Sequence, residues 1–222
     1  MVWRSVIRSV LFGTALALAF ILSAGTAQWI GAWIYVAAVT SGGIAMTLWL
    51  AQHDPELLRE RTGRNKLQGA DRILLPALFA AAFVWLFLMA LDVRAHGTHQ
   101  MPVWLNAVGG LAMLAGFAAC TRVFRANRFA TAHIEVQTAR GHTVIDSGPY
   151  ALVRHPLYGI AIVTYLMVPF TLGSWAGFLG APLLVWLVDF RAAAEERKLE
   201  AELAGYHDYM ARVRYRFVPH VW

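Results

Sequence analysis

The chain has 222 residues, 59% of them hydrophobic and only 14% charged, with a formal net charge of +6. That balance excludes an ordinary water-soluble domain, and it leaves no soluble basic face able to follow a phosphate backbone, so nucleic acid is not an expected partner. The one cysteine, Cys120, excludes an internal disulfide and reads as a small core residue.

In chain order the apolar residues fall in six blocks: Val10 to Ala24, Ile30 to Ala51, Ile73 to Leu91, Val103 to Cys120, Leu157 to Leu172 and Trp175 to Phe190. At 1.5 Å per helical residue the first four cross, or nearly cross, a hydrocarbon layer roughly 30 Å thick. The last two are shorter and separated only by Gly173 and Ser174, which predicts a tight helical hairpin. The expected fold is therefore all-α: a polytopic integral membrane protein of five to six transmembrane helices, with a C-terminal helical hairpin. The Ser-Ala-Gly-Thr-Ala stretch ending at Ala27 resembles a signal-cleavage site, but further spans follow at once and favour a retained first helix.

Charge orients these spans. Of the 19 Lys and Arg residues, 18 fall before the first block, between the second and third, between the fourth and fifth, or after the sixth; only Arg94 lies on the other side. Retention of cations on the cytoplasmic face places both termini and every long polar segment there, as in a bacterial inner membrane. A charge at the bilayer centre costs about 2.5–3.5 kcal/mol, so chemistry is expected near the cytoplasmic interface.

Three polar segments compete for it. The first, His53 to Arg72, opens with a helix-start signal at Asp54-Pro55 and alternates charge over Glu56, Arg59 and Glu60, which predicts a solvated connecting helix. The second, from Thr121 to Tyr158, carries Arg122, Arg125 and Arg128 at headgroup spacing, then turn signals at Arg140-Gly141 and Ser147-Gly148-Pro149, which predict an ordered surface loop. Pro156 suits the first position of a helix whose dipole points its positive end at that loop. The third, from Asp189 to the end, sets Arg191 and Glu195 on one helix face, close enough for an ion pair, and spaces Tyr206, Tyr209 and Arg212 as in a tail lying on the bilayer. His96 and His99 are adjacent but have no third partner, so no metal site is expected.

Together the second and third segments carry Gly148-Pro-Tyr150, Arg154-His-Pro-Leu-Tyr158-Gly159, Arg191 with Glu195-Glu196 and Leu199, then Tyr206, Tyr209, Arg212-Val213 and Pro219. In that order they resemble the isoprenylcysteine carboxyl methyltransferase family, integral membrane enzymes that use S-adenosylmethionine. Pro55-Glu-Leu-Leu-Arg-Glu-Arg61 is reminiscent of its short bacterial members. The resemblance covers the last 100 residues or so and implies one methyltransferase domain over 1–222, with helices to 120 and the cofactor loop, hairpin and tail beyond. It also implies cofactor contacts at Gln137, at His142, Thr143, Val144 and Ile145, at Tyr150, at His155, Pro156, Leu157 and Tyr158, and at Glu195, the last accepting the cofactor's amino group. Arg191 is implied as the catalytic residue facing the methyl acceptor. Thr-Val-Ile after His142 departs mildly from the family's pattern but keeps its apolar character. Arg154 is open between bracing the loop and reaching lipid phosphate.

The implied reaction is S-adenosylmethionine-dependent methylation of a lipophilic acceptor, foremost the carboxylate of an isoprenylcysteine-like or prenylated substrate, with membrane lipids as neighbours. Alternatives are methylation of a phospholipid amine or small thiol, which would require a base such as His155, a nicotinamide-dependent membrane reductase, or a non-catalytic lipid-binding protein.

Overall fold

The computed structural model describes residues 1–63, 67 and 69–222. Among them are eight α-helices and no strand: α1 (Val2–Ala24), α2 (Ile30–His53), α3 (Pro55–Thr62), α4 (Asp71–His96), α5 (Val103–Ala126), α6 (Pro156–Leu172), α7 (Gly177–Glu202) and α8 (Tyr206–Arg212). Arg64 and Lys66, two of the cations that orient the chain, lie outside the described residues.

Five helices, α1, α2, α4, α5 and α7, are long and apolar enough to cross a membrane, while α6, at 17 residues, is shorter. The polytopic membrane fold expected from hydropathy is thus the one observed. Its outer surface bears Leu11, Leu22, Ile73, Leu111 and Leu179, each more than 60% exposed. Such an apolar exterior is stable against lipid tails and not against water. The six long helices close into a ring in the order α1, α2, α5, α6, α7, α4, with α2 also touching α6 across it. Phe20, Trp29, Trp85, Met89, Leu172 and Leu184 fill the centre.

Without a hydrophobic drive between helices in lipid, close backbone approach and buried hydrogen bonds must hold the ring. Gly31 supplies the approach of α2 to α6, since a β-carbon there would lie 2.6 Å from the Thr171 carbonyl oxygen. Beside it the Trp29 indole donates to the Leu172 carbonyl at 2.8 Å. At the same end Ser174 Oγ donates to Asp92 at 2.6 Å, fixing the α6–α7 turn that Gly173, at φ 71°, makes possible.

Each ring helix alternates in direction, so the start of α4 and α6 and the end of α2, α5 and α7 gather at one face with α3, the 127–155 loop and α8. Local signals fix these pieces as expected: Asp54 Oδ1 caps α3 by accepting the Leu57 amide at 2.9 Å, and Pro156 opens α6. Other expectations are corrected. The connecting helix after His53 is solvated on one side only: Glu56 and Arg59 are exposed as expected, while Leu57 and Leu58 pack into a core with Leu50 and Phe124. Tyr206 and Tyr209 do not lie on the bilayer; they are buried with Leu203 and Val213. The hairpin's second arm starts at Gly177 rather than Trp175 and continues twelve residues past Phe190 as one helix.

The tail after α8 returns along the start of α6: the amides of Arg154 and His155 donate to the carbonyls of Tyr215 and Arg216, both at 2.9 Å. Gly159 allows this, since a β-carbon there would meet the Phe217 carbonyl oxygen at 2.6 Å. Gly159→Val should therefore push the tail off α6 and cost about 1–3 kcal/mol, the usual price of overpacking. Gly43→Ala, whose β-carbon meets only Ser9 Oγ at 3.4 Å, should change little. Denaturant titration in mixed micelles compares the two.

Candidate active site

A cavity of about 370 Å³ opens at the polar face, within the roughly 300–1,000 Å³ range of small-molecule sites. Its walls are the end of α5, the 127–155 loop, the start of α6, the stem of α7 and α8, and part of α4. Every residue singled out from the sequence lines it except Gln137: His142, Thr143, Val144, Ile145, Tyr150, His155, Pro156, Leu157, Tyr158, Arg191 and Glu195. Gln137 lies behind the wall, donating to the Phe129 carbonyl at 2.9 Å and accepting from Arg140, so its side chain is spent on holding the loop.

Two ionic clusters shape the α7 wall. In the first, Arg191 does not pair directly with Glu195. Its Nε and Nη2 donate to the two oxygens of Asp71 at 3.0 and 3.2 Å, Nη2 also reaches the Ala132 carbonyl at 2.9 Å, and Nη1 donates to the Tyr158 hydroxyl. Tyr158 in turn donates to Glu195 Oε2 at 2.6 Å. Asp71 is 1% exposed and takes the Ile134 amide at 2.7 Å as well, so the pair is hydrogen-bonded on all sides, as a buried ion pair must be. The result is a chain Asp71–Arg191–Tyr158–Glu195 that ties α4, α7 and α6 together and holds the Glu195 carboxylate at the cavity wall. Sequence reasoning missed Asp71, which lies 120 positions before its partner and at the head of an apolar run. An acidic residue where a span begins was the available signal.

In the second cluster Glu196 is the hub. Arg154 Nε and His155 Nε2 contact its Oε1 at 2.7 and 3.1 Å, and Arg216 Nη2 donates to Oε2 at 2.7 Å. Arg216 also pairs with Asp189 at 2.7 Å. Hydrogen bonding to Glu196 raises the already high pKa of Arg216 further. Arg154 additionally donates to the carbonyls of Val213 and Arg214 at 2.9 and 2.7 Å, which settles its role as a brace rather than a lipid contact. His155 therefore faces two carboxylates: Glu196 through Nε2, and Glu195 at 3.8 Å from Nδ1.

The opposite wall is apolar and aromatic. His142 stacks on Phe129 with centroids 4.4 Å apart, and its Nδ1 accepts the Gln137 amide at 3.3 Å, which leaves the proton on Nε2. Burial pushes its pKa below the ordinary value, and Arg140 nearby adds to that against the opposing pull of Glu195. The ring is neutral at pH 7. Burial raises the phenols of Tyr150 and Tyr209 well above their usual range, and Tyr209 fixes the loop by donating to the Tyr150 carbonyl at 2.9 Å. Cys120, half-buried, packs against the core of Leu50, Leu57, Leu58 and Phe124 as expected and also lines the cavity.

Removing Asp71 strands a buried guanidinium, so Asp71→Ala should destabilise the protein by about 3–5 kcal/mol, as for one half of any buried pair. Asp54→Ala, at a surface cap, should cost about 0.5–2 kcal/mol by the same denaturant titration.

Residues 108–201 match the model of the isoprenylcysteine carboxyl methyltransferase (ICMT) family. No curated protein is similar enough to the chain to lend it a role. The matched segment carries α6, all but the last residue of α7 and the whole 127–155 loop that walls the cavity. Through that segment, somewhat under half of its length, the chain is similar to the isoprenylcysteine carboxyl methyltransferase family.

Proposed function

We propose that the protein transfers a methyl group from S-adenosylmethionine to the carboxylate of a lipophilic, isoprenylcysteine-like acceptor. The observation that carries this reading is the placement of Glu195: a carboxylate on the cavity wall, held by Tyr158, in a cavity whose loop side is lined by Phe129, Val144 and Ile145. A ligand bearing an ammonium at one end and an adenine at the other suits those two walls. Glu195 would take the ammonium, and the apolar lining would take the purine.

Once bound, S-adenosylmethionine supplies a methyl carbon on positively charged sulfur, so that in-line attack by an acceptor oxygen forms the C–O bond as the C–S bond breaks and both charges disappear. What the chain must provide is position. Arg191 has five N–H donors, four of them committed to Asp71, Ala132 and Tyr158, and among the described residues the fifth, on Nη1, has no partner. A rigid guanidinium with one donor left toward the cavity is suited to hold an acceptor oxygen within the 3–3.5 Å that attack requires. Being fully paired behind, it orients without moving.

Acceptor entry follows from α4. Leu75, Leu78 and Phe79 line the cavity, and Phe79 is also 63% exposed on the flank that faces lipid. A lipid-tailed acceptor can therefore reach the site from within the bilayer, while a water-soluble donor reaches it through the polar face. The cation-rich end of the bundle is this same face, which supports a cytoplasmic site and cytoplasmic termini in a bacterial inner membrane.

Acceptor class follows from the histidines. An amine or thiol must lose a proton, yet of the three histidines lining the cavity His142 Nδ1 accepts a backbone amide, His155 Nε2 is held against Glu196, and His133 has its Nδ1 buried away from any partner among the described residues, which favours an acceptor that needs no base. A carboxylate, with a pKa near 4, is already ionised at pH 7 and requires no base. The protein in bilayers should therefore move labelled methyl from S-adenosylmethionine onto prenylated thioether carboxylates at a rate nearly flat from about pH 6 to 8. Label on phospholipid amines or thiols alone, with a rate rising about tenfold per pH unit, would overturn the carboxylate assignment.

A further inference from the structure

Three arginines line the cavity: Arg61, Arg154 and Arg191. Two have a carboxylate partner within 3.0 Å, Glu196 for Arg154 and Asp71 for Arg191. Arg61, on α3, has none among the described residues. Its Nη1 donates to the Ala130 carbonyl at 2.6 Å and its guanidinium lies 4.7 Å from the centre of the Phe124 ring, contacts that anchor the group without neutralising it. Of its five donors, four are left. Burial lowers its pKa, although a guanidinium stays charged under all physiological conditions, so the chain bears the cost of a partly buried cation it does not pair itself. Such a cost is tolerated where a bound anion completes the pair.

Across the same cavity Glu195 presents the complementary charge. Tyr150 feels both groups, and both line the same tyrosine-walled space. The remaining edge of a planar guanidinium matches a carboxylate bidentately. From these observations we infer that Arg61 is a second recognition residue of this site, binding a ligand carboxylate that the chain leaves unpaired. The inference rests on the methyltransferase reading, under which two carboxylates enter the cavity, that of the methyl donor's amino-acid end and that of the acceptor. Arg61 binds one of them, and the fork leaves little room for both. Arg61 is a recognition residue and takes no part in bond making.

The test uses the full chain in micelles, with Arg61→Gln and Arg61→Lys beside the wild type. Calorimetry compares S-adenosylhomocysteine with its decarboxylated analogue, and a farnesyl thioether acid with its primary amide. The wild type should prefer the acid in one pair by about 10–100-fold, and Arg61→Gln should erase that preference in that pair while binding the other pair unchanged, which also shows that the variant is folded. Arg61→Lys should retain part of it, since a point charge replaces a fork. Loss within the donor pair assigns the amino-acid carboxylate, and loss within the acceptor pair assigns the lipid acid. Acid preferences in both pairs that survive Arg61→Gln would overturn the inference and leave the methyltransferase reading standing. A wild type that binds neither S-adenosylhomocysteine nor the farnesyl acid would sink that reading, and this one with it.

Discussion

The buried pairing of Arg191 with Asp71 is the constraint on which the rest of the polar face depends. A cation on a membrane-spanning helix is tolerated when it faces the protein interior or a cavity and is paired, and here one carboxylate takes it bidentately while a loop carbonyl and a tyrosine take most of what remains. The pairing sets the distance between α4 and α7, which opens the cavity. Through Tyr158 it also holds Glu195, so a structural ion pair on one side positions a carboxylate at the cavity wall on the other, where the proposed function assigns it recognition of the donor.

The second cluster does the same for the loop. Glu196 draws Arg154 and His155 from the loop and Arg216 from the tail onto one carboxylate, and the tail's backbone bonds to residues 154 and 155 close the arrangement. Consecutive acids on α7 thus have opposite duties, because neighbouring positions on a helix point about 100° apart. Glu196 faces inward, 9% exposed, and holds the wall; Glu195, 27% exposed, faces the cavity. A reaction that needs only positioned charges is served by such a rigid wall, with lipid access through the flank of α4 and aqueous access through the polar face.

Much of this was legible from residues alone. Hydropathy gave the spans because length and apolarity are what a bilayer selects, and the turn signals placed Gly141 and Gly173 correctly, both in the left-handed region. The cluster from Tyr150 to Tyr158 with Arg191 and Glu195 was found because its members are close in sequence or one helical turn apart. Asp71 and Arg61 were not found, since their significance lies in a partner 120 residues away in one case and in the lack of an acidic partner in the other, and neither is a local pattern. The segment after His53 was read on one side only: alternating charge predicts the wet face that Glu56 and Arg59 form, and Leu57 and Leu58 turn the other face to the bundle. Gln137 shows the reverse, a residue brought into view by resemblance whose side chain here braces Phe129 and Arg140 from behind the wall.

The claim on which the account turns is that Glu195 grips the ammonium of a sulfonium methyl donor. Equilibrium binding of S-adenosylhomocysteine to the purified protein and to Glu195→Gln tests it most directly. A charge-assisted contact worth about 1.5–3 kcal/mol predicts a loss of roughly 10–150-fold, with the fold preserved because Tyr158 and Arg191 keep their Asp71 anchor. Equal affinity in the two proteins would contradict the account.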